Sequence, residues 1–232
     1  MKKRMLSLLL ATLLLLSLCA CGGPDYSNVK AALQTEQWYF NNTETAILNR
    51  VSFTEEGALL EQVSFNDNGR HEEGSRELTY TIDEANVTLM DGEESVLAIP
   101  YTMTENQLTL ADGYLTLAQI DEGLQGYWMN RSYNSFFGRT CGLEEYIYFD
   151  HGKVSSEKAA ESGYDNTEGY FYYGPYEGSY QVGFGQFETD MMHGAEWGFS
   201  ILDGEVMVLH FARGFEHVDI TGFPGEDGYN FD

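Results

Sequence analysis

With 37 acidic against 12 basic side chains in 232 residues, the chain carries a formal charge of −25. This balance excludes nucleic acid as a partner, because phosphate binding rests on basic footprints that are missing here. A hydrophobic share of 43% and an aromatic share of 14% exclude intrinsic disorder, which goes with a shortage of both.

Taken in chain order, Lys2, Lys3 and Arg4 precede an apolar run from Met5 to Leu18, which closes on Leu18-Cys19-Ala20-Cys21. A basic start, an apolar core and a small residue before the cut are the three parts of an export signal. The run has 14 residues and is broken by Ser7 and Ser17; a spanning helix needs roughly 18 to 20. The closing four residues resemble the lipobox of bacterial lipoproteins, aliphatic first, small third and Cys fourth, with Cys19 departing from the usual second residue. The resemblance implies that residues 1–20 are a signal peptide and that a diacylglyceryl group joins the Cys21 thiol. It also implies that residues 21–28 tether the body to the extracytoplasmic face of the cell membrane. Two acyl chains anchor stably where one holds marginally, at about 0.8 kcal/mol per buried methylene. Loss of residues 1–20 moves the formal charge to −28, so an anionic membrane repels the body. Cys141 is then left without a disulfide partner and reads as a small buried apolar residue rather than a nucleophile.

Val29 to Gln37 predicts one or two helical turns capped by Ser27 or Asn28. Strand signals follow. Leu59, Val63 and Phe65 alternate in part with polar neighbours, and Leu78, Tyr80 and Ile82 alternate cleanly with Thr79 and Thr81. Asn68-Gly69, Asp91-Gly92, Asp112-Gly113 and Asp203-Gly204 stand between such runs and suit the positive φ of tight hairpins. Ser155 to Ser162 is short and polar, and reads as a loop or a single turn.

The chain also repeats. Tyr80–Leu89 aligns without gaps on Tyr180–Thr189, and Tyr101–Leu110 aligns on Phe199–Val208, while Trp38 and Trp128 open the two halves. The expected fold is all-β: two tandem small antiparallel β-barrels or sandwiches, residues 29–122 and 123–232, preceded by a short helix. Gly126-Tyr127-Trp128 resembles the G-x-W that opens the first strand of lipocalin-like barrels. That resemblance implies structural roles for Trp38 and Trp128 and a basic residue of the last strand, Arg213, covering the Trp128 ring.

Half of the aromatic residues fall between Tyr127 and Phe187. Strand alternation puts Tyr170 and Tyr172 on one face and Phe171 and Tyr173 on the other. With Trp128 and Tyr176, the first pair either forms a stacking platform for a ligand or fills and borders a glycine-rich sheet. The five histidines, His71, His151, His193, His210 and His217, lack compact metal-ligand spacing and read as surface residues. Asp165, Asn166 and Glu168 lack calcium-loop spacing and read as a turn. No nucleophile elbow or phosphate loop is present, and no cofactor is implied. The expected function is non-catalytic binding of a small apolar or glycan ligand. A protein-interaction or envelope-assembly role is the alternative, and a surface hydrolase with a carboxylate pair the third reading.

Overall fold

The computed structural model describes residues 24–42, 47–66, 69–105, 107–111, 113–136, 139–161, 170–190, 197–210 and 213–220. Cys21, Asp165, Asn166 and Glu168 lie outside them.

Helix α1 (Ser27–Leu33) leads into β1 (Gln37–Asn42). It starts before the expected Val29, and neither Ser27 nor Asn28 caps it. The Asp25 carboxylate already accepts the Ser27 N–H at 2.9 Å, so one orphan donor of the first turn is satisfied from upstream. The helix stops short of Gln37, which pairs with Ser52 of β2 (Ile47–Phe53) instead.

An antiparallel meander continues through β3 (Ala58–Asn66), β4 (Gly69–Ile82), β5 (Asn86–Asp91), β6 (Glu94–Met103) and β7 (Leu108–Leu110). The short β8 (Leu115–Thr116) then returns to β1, pairing Thr116 with Trp38. The result is an eight-stranded sheet, order β7-β6-β5-β4-β3-β2-β1-β8, curled into a half-barrel.

A second helix, α2 (Leu117–Leu124), follows at once, with Thr116 and Gln119 forming a reciprocal capping box. Beyond it lie β9 (Gly126–Phe136), β10 (Arg139–Asp150), β11 (Lys153–Glu161), β12 (Tyr170–Val182) and β13 (Phe187–Thr189), with β17 (Glu216–Val218) returning to β9 in a six-stranded sheet. β14 (Trp197–Leu202), β15 (Glu205–His210) and β16 (Arg213–Gly214) form a third sheet, tied to the second by a bridge from Gln186 to Gly198. Two expectations are corrected here. Among the described residues there are two short helices rather than one, and Ser155–Glu161, read as a loop or turn, belongs to β11. Pairing on both sides with β10 and β12 holds this polar segment extended whatever its own preference.

The turns obey the hairpin rule. Asp203-Gly204 (φ 52° and 80°) closes β14–β15, and His151-Gly152 (φ 43° and 85°) closes β10–β11, both two-residue loops with positive φ throughout.

The ladders of the two halves correspond residue by residue. Tyr80 pairs with Leu89 and Tyr180 with Thr189; Tyr101 pairs with Leu110 and Phe199 with Val208. Side chains repeat too. Phe53 and Tyr80 meet edge-on at 5.1 Å and 82°, Phe149 and Tyr180 at 5.0 Å and 79°. The residue after each helix, Gln34 or Gln125, donates its side-chain N–H to the Tyr80 or Tyr180 hydroxyl, at 3.5 and 3.0 Å. Each helix buries two apolar residues four apart, Val29 with Leu33 and Ile120 with Leu124.

Two apolar cores result. One holds Val29, Leu33, Trp38, Val51 and Leu60 inside the half-barrel. The other takes Trp128, Ile147, Phe149 and Phe199 from the second half together with Tyr39, Leu48 and Val63 from the outer face of the half-barrel. Alternation along β1 thus sends Trp38 into one core and Tyr39 into the other. Arg50 reinforces the junction, gripping Glu61 with two bonds of 2.8 and 2.9 Å while its guanidinium lies 4.5 Å from the Phe184 ring centre. β14 passes so close that a side chain at Gly198 would run into the Phe65 ring.

Candidate functional site

The inward rows of the half-barrel change character along its strands. At the α1 end they are Trp38, Val51 and Leu78. Two residues further on, in the same rows, stand Phe40, Asn49 and Arg76, and Gln62 follows Leu60 on β3. These side chains line a cavity of about 700 Å³ together with Val96, Leu97 and Tyr114. That volume lies within the roughly 300 to 1,000 Å³ typical of small-molecule sites.

Two β-bulges shape the wall. On β4, Glu73 is the unpaired residue between Gly74, opposite Gln62, and Glu72, opposite Val63. On β6, Val96 is the extra residue between Ser95 and Leu97, so two consecutive side chains, Val96 and Leu97, reach the cavity. A bulge breaks the strict in–out alternation and re-aims side chains, which is why bulges gather at barrel rims and binding sites.

The polar groups are held in place. Asn49 is 3% exposed, and its amide N–H groups reach the Phe40 and Ile47 carbonyl oxygens at 3.3 and 3.0 Å. Its oxygen accepts from the Gln62 amide at 2.9 Å, which fixes Gln62 with its own carbonyl oxygen and one N–H still to spare. Arg76 donates to Asp91 at 2.7 Å and keeps its other guanidinium donors. Phe40 and Tyr114 stack at 4.4 Å and 28°. Burial pushes the Tyr114 phenol well above its ordinary range, with no charge or hydrogen bond contributing.

The roof comes from the other half of the chain. Ile201, Asp203 and Gly204 of the β14–β15 hairpin complete the lining. Asn41 fastens it with both ends of its amide, donating to the Ser200 hydroxyl at 2.7 Å and accepting from the Ile201 N–H at 3.3 Å.

The residues singled out from sequence lie elsewhere. Trp128 is buried, its indole N–H bonded to the Leu124 carbonyl at 2.7 Å, and its ring meets His217 edge-on at 5.1 Å. The side chain of Arg213, expected over that ring, falls outside the described residues, as do those of Tyr170, Tyr172 and Cys141. Tyr176 is exposed and is not one of the lining residues. Trp38 is buried in the half-barrel core. Asn49, Gln62 and Arg76 are not legible in the sequence because polar residues within strands look like a solvent face, and Phe40 and Tyr114 because a lone aromatic carries no site signal. Their available signal was position: Asn49, Gln62 and Arg76 each stand two residues from an inward apolar neighbour.

Among the described residues, no cluster of three or more His, Cys, Asp or Glu side chains is arranged to hold a metal ion. His71, His151 and His217 are exposed. No helix among these residues is long and apolar enough to cross a membrane. Comparison with protein-family models, curated proteins and solved structures finds no match to this chain.

Proposed function

We propose that the chain is a lipid-anchored extracytoplasmic binding protein that takes a small apolar or glycan ligand, without catalysis, in the cavity of its first half. Residues 1–20 are the signal peptide, Cys21 carries the lipid, and residues 21–28 form the tether. Residues 29–122 and 123–232 are two lipocalin-like β domains that arose as copies of one unit. The repeated registers, the repeated aromatic contact and the repeated return strand favour that duplication.

The observation that carries the binding reading is the cavity. An all-apolar filling of the half-barrel would be the most stable one, because each buried polar group needs a partner to offset its desolvation. Yet Asn49, Gln62 and Arg76 line the cavity where positions two residues along the same strands hold Val51, Leu60 and Leu78. Small-ligand sites combine apolar walls with a few oriented polar groups in this way.

The test is native mass spectrometry of the secreted body purified from its own host, together with thermal shift against a small-molecule library. A co-purifying or stabilising compound is expected, and Val96→Trp, which fills the cavity, should abolish the effect while leaving the circular dichroism spectrum unchanged. A ligand that binds Val96→Trp as tightly as wild type would place the site elsewhere. No ligand under any condition would remove the reading.

A further inference from the structure

We infer that the ligand of this cavity is a neutral saccharide, a ring with one apolar face and a rim of hydroxyls; the inference rests on the binding role proposed above. Three features lead to it. The apolar lining includes an aromatic pair. Phe40 and Tyr114 stack on each other beside Leu60, Val96, Leu97 and Ile201, and a C–H face of a sugar ring packs on such an aromatic surface.

The hydrogen-bonding capacity left over is both donating and accepting. Gln62 retains a carbonyl oxygen and an N–H, Arg76 retains donors, Asp203 brings a carboxylate, and the Tyr114 hydroxyl can do either. A hydrocarbon ligand would strip water from all four groups and replace none of its hydrogen bonds, at about 1 to 3 kcal/mol for each group left without a partner. A sugar hydroxyl donates and accepts at once, so adjacent hydroxyls meet planar amide, guanidinium and carboxylate groups without loss.

The charge balance then separates neutral from anionic sugars. Among the described lining residues Arg76 is the one basic side chain and is already paired with Asp91, while Asp203 sits in the roof. The chain around them carries a formal charge of −25. An anionic ligand would therefore enter a negative field and meet a guanidinium whose charge Asp91 already balances.

The experiment uses the secreted body and saturation-transfer NMR with isothermal titration. The probes are neutral disaccharides (maltose, cellobiose, lactose and diacetylchitobiose), glucuronic acid, and the neutral apolar dye N-phenyl-1-naphthylamine. At least one neutral disaccharide is expected to bind, and Tyr114→Phe and Gln62→Leu should each weaken it about tenfold, the equivalent of one lost hydrogen bond. Dye binding, if present, should not weaken in either variant, since each change keeps or extends the apolar wall. Tyr114→Phe keeps the stacked ring, so loss of folding does not confuse the result. Dye binding that Val96→Trp abolishes, with no saccharide bound, would overturn the saccharide inference and leave the binding role standing. Glucuronic acid binding more tightly than every neutral sugar would overturn the charge argument. Saccharide binding unaffected by both variants would place it outside the cavity, and no binding of any probe would count against both readings.

Discussion

In the first half, Leu33 and Trp38 are five positions apart, and the buried Trp38 indole N–H has no acceptor among the described residues; in the second, Leu124 and Trp128 are four positions apart, and the N–H donates to the Leu124 carbonyl at 2.7 Å. One residue between helix and strand thus decides whether a core tryptophan is tied to its helix. The interiors differ in the same direction. Phe149, Tyr180 and Phe187 pack ring against ring in the second half, with centroids 5.0 to 6.2 Å apart. The ladder position of Arg76, opposite Leu60, is held in the second half by Tyr176, opposite Ser156. Two matching ladders thus build a cupped half and a half whose aromatic core spreads across the junction. The second half also roofs the cavity of the first. Its own buried tyrosine is braced on α2, with the Tyr180 hydroxyl donating to Asp121 at 2.7 Å and accepting from Gln125 at 3.0 Å.

The strongest way to break this comparison is at the shared core. Tyr39 is 1% exposed and packs on Phe184 and Phe199. Tyr39→Ala should cost about 3 to 5 kcal/mol, the range for deleting a buried aromatic ring, and the halves should still unfold in one transition. Denaturant titration followed by tryptophan fluorescence and far-UV circular dichroism measures both. Two separated transitions would mean that the halves stand independently.

A subtler contrast lies between the tryptophans. Trp128→Phe removes a hydrogen bond and leaves the Leu124 carbonyl buried without it, whereas Trp38→Phe removes a donor that has no acceptor. The first substitution should therefore cost about 1 to 2 kcal/mol more than the second in parallel denaturation curves. Equal losses would show that the extra residue before Trp38 has no energetic consequence.

The smallest effect is in the pH dependence. Burial, with the hydrogen bond to Asp121 adding to it, pushes the Tyr180 phenol up to about 12. Its folded value lies above its unfolded value of 10.0, so the protonated phenol contributes stability that is complete below pH 10 and is lost as pH rises through about 12. Tyr180→Phe should make the fall in stability over that alkaline range shallower, read from urea midpoints at successive pH values. An unchanged slope would assign the alkaline loss to other groups.

Much of the architecture could be read before the coordinates. The alignment of Tyr80–Leu89 on Tyr180–Thr189 matched equivalent ladders because cross-strand pairing keeps register wherever one face is buried. Helix α2 was overlooked, although Thr116 and Gln119 spell a capping box and Leu117, Ile120 and Leu124 recur on one helical face. A nine-residue segment between strands offers too few turns for periodicity to stand out. β11 was hidden for the opposite reason: its neighbours, not its own side chains, make it a strand.

From the sequence alone came the acidic charge, the β character and the repeated pattern, along with the expectation of an export signal, because each is written in composition or local period. The cavity was decided only by tertiary structure. Its lining comes from β1 to β4, the bulged β6, Tyr114 and a hairpin tip about ninety residues further along, and no local pattern records which polar strand residues face inward once a sheet has curled. Whether Asn49, Gln62 and Arg76 meet solvent or one another depends on curvature and register, which are properties of the whole sheet.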